Sequence, residues 1–139
     1  IKGGCGYCTG IGEIIEPLPA ICGCVLIGKG QAGISTAEAF GKIDSLGSGI
    51  GITGIKKIFG NVSSLTDIAS YCRNIFDDVT SLEEVTDIKR IMTENGAVCS
   101  AMTGSGSAVF GLFESENVAS KAQEVLKQKN YFTALCRLS

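Results

Sequence analysis

Apolar positions along this chain change rhythm several times, and each change marks an element. Cys5 to Leu18 reads as extended structure with a glycine-rich middle, Thr9-Gly10-Ile11-Gly12-Glu13-Ile14-Ile15, closed by Pro17 and Pro19. Ile21 to Ile27 is apolar on both faces, which predicts a central strand. Ser35-Thr36-Ala37-Glu38 is a capping-box pattern, and it opens a helix to about Leu46 with Ala39, Phe40, Ile43 and Leu46 on one stripe. An uncharged loop over 47–51 precedes Ile52, Ile55, Ile58 and Phe59, which predict a short helix ended by Gly60. Ser64-Leu65-Thr66-Asp67 opens another helix. Leu65, Ile68, Cys72, Ile75, Phe76 and Val79 carry its periodicity as far as Val79. Ser81-Leu82-Glu83-Glu84 caps the next, with Val85, Ile88, Ile91 and Met92 inward and Asn95-Gly96 as a left-handed C-cap.

Two strand-like runs follow, Gly96 to Ser100 and Val109 to Phe113. Ser115-Glu116 starts a last helix that buries Val118, Ala122, Val125 and Leu126 and turns Lys121, Lys127 and Lys129 to water. Tyr131 to Cys136 closes the pattern as a strand. The order predicts an α+β fold: an antiparallel sheet with helices gathered on one face, a ferredoxin-like βαββαβ core carrying inserted helices.

Between the two strand-like runs lies Ala101-Met102-Thr103-Gly104-Ser105-Gly106-Ser107-Ala108. Glycine lets backbone approach another surface closely, and successive N–H groups can form a concave anion site. Hydroxyls add donors that swing toward phosphate oxygens. The same composition also suits a tight β-connection, and the loop by itself favours that plainer reading. A second glycine pattern, Gly28-Lys29-Gly30-Gln31-Ala32-Gly33, matches G-x-G-x-x-G after a strand. A dinucleotide site needs the helix to open within those glycines, and here the helix signal comes later. Phe40, near the start of that helix, is on its residues alone a core side chain ahead of a ligand platform.

The chain has 139 residues, 45% of them hydrophobic, which suits one domain with a sizeable core. A net charge of −2 and a pI near 5.1 argue against a general nucleic-acid or membrane-surface binder. No apolar run reaches the roughly 18 residues of a spanning helix, and the expected compartment is the cytoplasm. The chain starts Ile1-Lys2-Gly3-Gly4, without methionine and directly in strand-like sequence, as a piece of a longer protein would. Histidine is absent, so a general base would have to be a carboxylate or lysine, and no tight cluster of these stands out. Seven cysteines, at 5, 8, 22, 24, 72, 99 and 136, are an odd number for a disulfide framework. The first four imitate a zinc pattern. The second pair is too close, and strand positions i and i+3 face opposite ways, so no metal site is expected. These cysteines read instead as small, reduced, buried side chains.

Gly96-Ala97 followed by Met102-Thr103-Gly104-Ser105-Gly106-Ser107-Ala108-Val109-Phe110-Gly111-Leu112-Phe113 resembles the third conserved motif of the GHMP kinases. Gly10-Ile11-Gly12-Glu13-Ile14 is similar to that family's glycine-rich strand at the domain junction, and Ile34-Ser35-Thr36-Ala37-Glu38-Ala39-Phe40 to its substrate-side helix start. The resemblance runs over nearly the whole chain, and over only the second half of such an enzyme. It is strongest to the branch acting on a cytidine diphosphate-linked methylerythritol.

The resemblance implies a two-domain kinase that moves the γ-phosphate of ATP, with Mg2+, onto the 2-hydroxyl of that small molecule. Residues 1–139 would be its single C-terminal domain. Its main phosphate loop, catalytic aspartate and lysine partner would lie in the missing N-terminal, ATP-binding domain. It implies that Thr103, Gly104, Ser105, Gly106 and Ser107 flank the ATP phosphates, that Phe40 stacks on the cytosine ring, and that Thr36 lies near the substrate. The chain alone would then be inactive and hold no cofactor tightly, and its exposed junction would be a surface for pairing two copies. Cys5 and Cys8 fall where the family usually has small residues. Three other readings stay open: another GHMP kinase acting on homoserine or mevalonate, a ferredoxin-like ligand-binding module without chemistry, and a cysteine-ligated metal module.

Overall fold

The computed structural model describes residues 6–45 and 62–138. The helix predicted over 52–59, the loop 47–51, Leu46 and Cys5 lie outside them.

Two sheets form. Strands β1 (Gly6–Thr9) and β2 (Ile14–Pro17) pair antiparallel as a separate hairpin. The main sheet contains β3 (Gly23–Lys29), β4 (Cys99–Met102), β5 (Val109–Phe113) and β6 (Phe132–Leu138), in the spatial order β4-β5-β3-β6. Every pairing in it is antiparallel. Helices α1 (Thr36–Ser45), α2 (Leu65–Ala69) and α3 (Glu83–Glu94), with a 3-10 turn at Ile75–Asp78, lie between β3 and β4. Helix α4 (Glu116–Gln128) joins β5 to β6. This is the predicted α+β, ferredoxin-like arrangement, with the crossing between β3 and β4 enlarged by α1, α2 and the turn.

Alternation along the strands sorts the layers. Cys24, Leu26 and Gly28 of β3 and Val109, Gly111 and Phe113 of β5 are buried on one face. Val85, Ile88 and Met92 of α3 and Ala119, Ala122 and Leu126 of α4 complete that core. Gly28 permits the close contact: a Cβ there would stand 2.8 Å from Ile88 Cγ2 and 3.1 Å from Met92 Cε. The apolar stripes predicted for α3 and α4 are thus the ones used, although Val118 and Val125 are only half-buried.

Four local expectations fail. The helix foreseen from Ser64 to Val79 stops at Ala69 and resumes only as the 3-10 turn. The Ser81 capping box does not form: Leu82 takes the cap position of α3 and no side chain bonds there. Strand β4 begins at Cys99, three residues beyond the predicted Gly96, because the ladder pairs Cys99 through Met102 with Leu112 through Val109. Cys8, Cys22 and Cys136 are exposed and Cys72 and Cys99 half-buried, so only Cys24 among the described cysteines fits the buried-filler reading.

Asp87 fastens α3 to the far end of α4. Its carboxylate meets Lys129 at 2.7 Å, Arg90 at 2.6 Å and the Tyr131 hydroxyl at 3.0 Å. Lys129, then Arg90 and Tyr131, hold the Asp87 carboxyl down to about 2, against the opposing effect of burial. A depressed carboxylate contributes stability that is complete above its unfolded-state pKa, about 4, and lost as pH falls through the folded value. The urea midpoint is therefore expected to drop between about pH 5 and pH 2. The drop is smaller in Asp87→Asn; equal drops in the two proteins would remove Asp87 from the acid response.

Candidate functional site

The site is built around the connection between β4 and β5. Thr103 N–H donates to Ala108 O at 2.9 Å, which closes the mouth of the loop, and Gly106 N–H donates to Thr103 O at 3.1 Å inside it. Gly104 and Gly106 adopt φ of 56° and 92°. Among the described residues, the amides of Gly104 and Ser105 have no protein acceptor. Gly104 is exposed and Ser105 half-buried.

Ser107 is different from the rest of the loop. It is buried, and its hydroxyl donates to Ala32 O at 2.6 Å. That bond holds the β3–α1 connection against the loop. The same connection is gripped from α3, where the Glu84 carboxylate accepts the N–H groups of Gln31 at 3.2 Å and Ala32 at 2.9 Å. Two amides of the G-x-G-x-x-G stretch, those of Gln31 and Ala32, are thus taken by a carboxylate of the chain itself, which disfavours a pyrophosphate in that place.

So strapped, the connection delivers the start of α1 to the loop. Ser35 Oγ accepts Glu38 N–H at 3.4 Å as a long N-terminal cap. Thr36 Oγ1 lies 3.1 Å from Ser105 Oγ. One turn further along α1, Phe40 is 52% exposed, which corrects the core placement its residues alone suggested. Its ring meets Phe76 edge-on, with centroids 5.0 Å apart and planes at 83°. A small cavity of about 110 Å³ lies beside these groups, lined by Ile34, Ser35, Glu38, Phe76, Thr80 and Ser105 among others. Lys42 Nζ reaches Val79 O at 3.5 Å across its rim.

The structure therefore brings Thr36, Phe40 and Ser105 to one side, continuous with Thr103, Gly104 and Gly106, and turns the Ser107 side chain inward. Sequence reasoning missed Asn74 and Asp77. Asn74 Nδ2 donates to Met102 O at 2.6 Å and Gly104 O at 2.8 Å. Asp77 Oδ2 accepts Met102 N–H at 3.2 Å, and its other oxygen lies 2.9 Å from Lys89 Nζ. The only signal was their place on the polar face opposite the apolar stripe, where Arg73 also falls. Cys72 stands beside this network. Its hydrogen bond with Cys99 holds its thiol below the usual range and pushes that of Cys99 up.

Residues 64–131 match the family model described as GHMP kinases C terminal. The 4-diphosphocytidyl-2-C-methyl-D-erythritol kinase of Clostridium perfringens (strain SM101 / Type A) is 33% identical over 134 residues, 93% of this chain and 46% of that protein. The enzyme of the same name from Desulfitobacterium hafniense (strain Y51) is 32% identical over 143 residues, 94% of this chain and 47% of that protein. A crystal structure of 4-(cytidine 5'-diphospho)-2C-methyl-D-erythritol kinase superposes with a TM-score of 0.63 at 20% identity, covering 94% of this chain and 48% of the other. Mevalonate kinase from methicillin-resistant Staphylococcus aureus MRSA252 gives 0.61 at 15% identity, over 91% of this chain and 46% of the other. The two structures share the fold. This chain spans about half the length of the curated relatives it matches.

Proposed function

We propose that this chain is the C-terminal, substrate-side domain of an ATP-dependent kinase of the GHMP family, whose C-terminal model it matches over residues 64–131. The acceptor is the 2-hydroxyl of 4-diphosphocytidyl-2-C-methyl-D-erythritol, a step of isoprenoid biosynthesis, and the compartment is the cytoplasm. The sequence relatives that bear this enzyme's name are more than 30% identical, which sets this acceptor ahead of mevalonate or homoserine.

The observation that carries the reading is the 3.1 Å contact between Thr36 and Ser105. It puts a small-hydroxyl, glycine-rich loop and an exposed aromatic ring on one surface. Phosphoryl transfer asks a protein mainly for positioning and charge stabilisation. The amides of Gly104 and Ser105 and the hydroxyls of Thr103 and Ser105 would face the ATP phosphates as fixed donors, acting without proton transfer. Ser107 would support this wall from beneath, and Gly106 would shape it. Phe40 would stack on the cytosine, with Thr36 near the sugar-like end.

The attacking hydroxyl needs a base, and the chain has no histidine. We assign the base, its lysine partner and the main phosphate loop to an N-terminal domain. That domain would rest against the β1–β2 hairpin, where Ile11, Ile14 and Ile15 are exposed. Among the described residues no three Cys, Asp or Glu side chains gather as a metal cage. In this reading Mg2+ would be held by the ATP phosphates.

The test is ATP-dependent phosphorylation of the cytidyl substrate by the full-length protein. Turnover is expected there and none from residues 1–139 alone. Phe40→Ala is expected to weaken substrate binding by about 1–3 kcal/mol, the worth of one base–aromatic stack. Full-length protein without turnover, or a Phe40→Ala protein with unchanged substrate affinity, would overturn the corresponding part.

A further inference from the structure

Asn74 stands between two parts of the site that no continuous element joins. A side-chain amide offers two hydrogens and one carbonyl oxygen. In Asn74 all are engaged. Oδ1 accepts the Phe76 N–H at 3.0 Å and so caps the 3-10 turn. Nδ2 donates to Met102 O and Gly104 O, on either side of Thr103 at the entrance of the glycine loop. Phe76, whose backbone it holds, is the residue against which the Phe40 ring rests. One half-buried amide thus touches the loop with one end and the footing of the aromatic ring with the other. The neighbouring tie from Asp77 to Met102 N–H grips the same strand end by its opposite polarity.

We propose that Asn74 is a positioning residue which sets the glycine loop in register with the Phe40 ring, so that the phosphate-side wall and the base platform act as one unit. The inference rests on the reading of the site given above. A competing role is the cap alone, and two substitutions separate them. Asn74→Asp keeps an oxygen for Phe76 N–H, and aspartate caps as well as asparagine. Its second oxygen has no hydrogen at neutral pH and would face two carbonyl oxygens. Asn74→Ser also keeps a capping acceptor, without charge, and loses the double donor.

The experiment is carried out on the full-length protein with both variants. Hydrogen exchange is expected to speed up at the amides of Thr103 and Gly106, while the Val79 amide, bonded to Phe76 O, keeps its protection. The turnover number for the cytidyl substrate falls on the order of 100-fold, the cost of a misplacement of about 1 Å, measured at a temperature where the variant remains folded. Asn74→Ser supplies the same comparison if Asn74→Asp does not fold. Unchanged exchange at Thr103 and Gly106 in the folded variants overturns the tether whatever the activity. Faster exchange with parental turnover overturns its role in positioning. A parent protein that shows no kinase activity refutes the kinase reading, and the exchange result alone then decides whether Asn74 holds the loop.

Discussion

Phe113→Ala lowers the free energy of unfolding by roughly 3–5 kcal/mol, the usual cost of removing a fully enclosed aromatic ring. Phe113 is 0% exposed at the end of β5. It belongs to the cluster that contains Leu26, Ile88, Met92 and Leu126, contributed by β3, α3 and α4. Gly111, two residues earlier on the same face, has no side chain to expand into the space: its own Cβ would stand 3.1 Å from Phe113 Cε2. Close-packed neighbours relax only partly around such a void, so the cavity adds to the lost transfer energy. A domain of this size holds about 5–15 kcal/mol in all, so the variant sits near the edge of folding. Urea titration reads the change as a lower midpoint at unchanged slope. Phe132→Ala is the control, since that ring is 62% exposed on β6. Equal midpoints for the two variants would mean that the centre of the fold lies elsewhere.

On the kinase reading proposed above, Gly106→Ala in the full-length protein is expected to cut turnover on the order of 100-fold, because the loop must shift. It also costs the domain about 1–3 kcal/mol of backbone strain. Gly106 has φ of 92°, and a Cβ there would stand 2.5 Å from Met102 Sδ and 2.7 Å from Ile34 Cδ1. Met102 is buried, so its side chain has little room to retreat. Gly104→Ala makes the comparison sharp. Gly104 has φ of 56°, with no atom within 4 Å of the added carbon, and its penalty is the left-handed backbone alone, about 1–2 kcal/mol. Single-turnover rates of the two variants, set beside their urea midpoints, separate loop shape from stability. Equal rates would show that the contour around Gly106 is immaterial to transfer.

The helices over 83–94 and 116–128 and the central strand were legible in the sequence because their apolar period agrees with what they pack against. The segment from Ser64 to Val79 misled for a definite reason. Its period is helical, yet Asn74 accepts the Phe76 N–H and donates across to Met102 O and Gly104 O. Asparagine offers the backbone partners that compete with a helix, and here distant carbonyls complete the competition. Phe40 was ambiguous because a stripe position on a helix states which face is apolar, not whether anything covers it. The glycine loop was visible as composition. Its partner Thr36 lies 69 positions away, a contact that only the folded sheet makes. The exposed cysteines had no periodic signal at all.

The double strap on the β3–α1 connection has a mechanical consequence. Ser107 and Glu84 tie that connection to the β4–β5 loop and to α3, and Thr103 and Ala108 knot the loop to its own strands. Thr36 and Ser105 are therefore carried on segments that are tied to one another at both ends of the connection. If a ligand is to be enclosed at this rim, these ties leave the rim as the anvil against which it would be held.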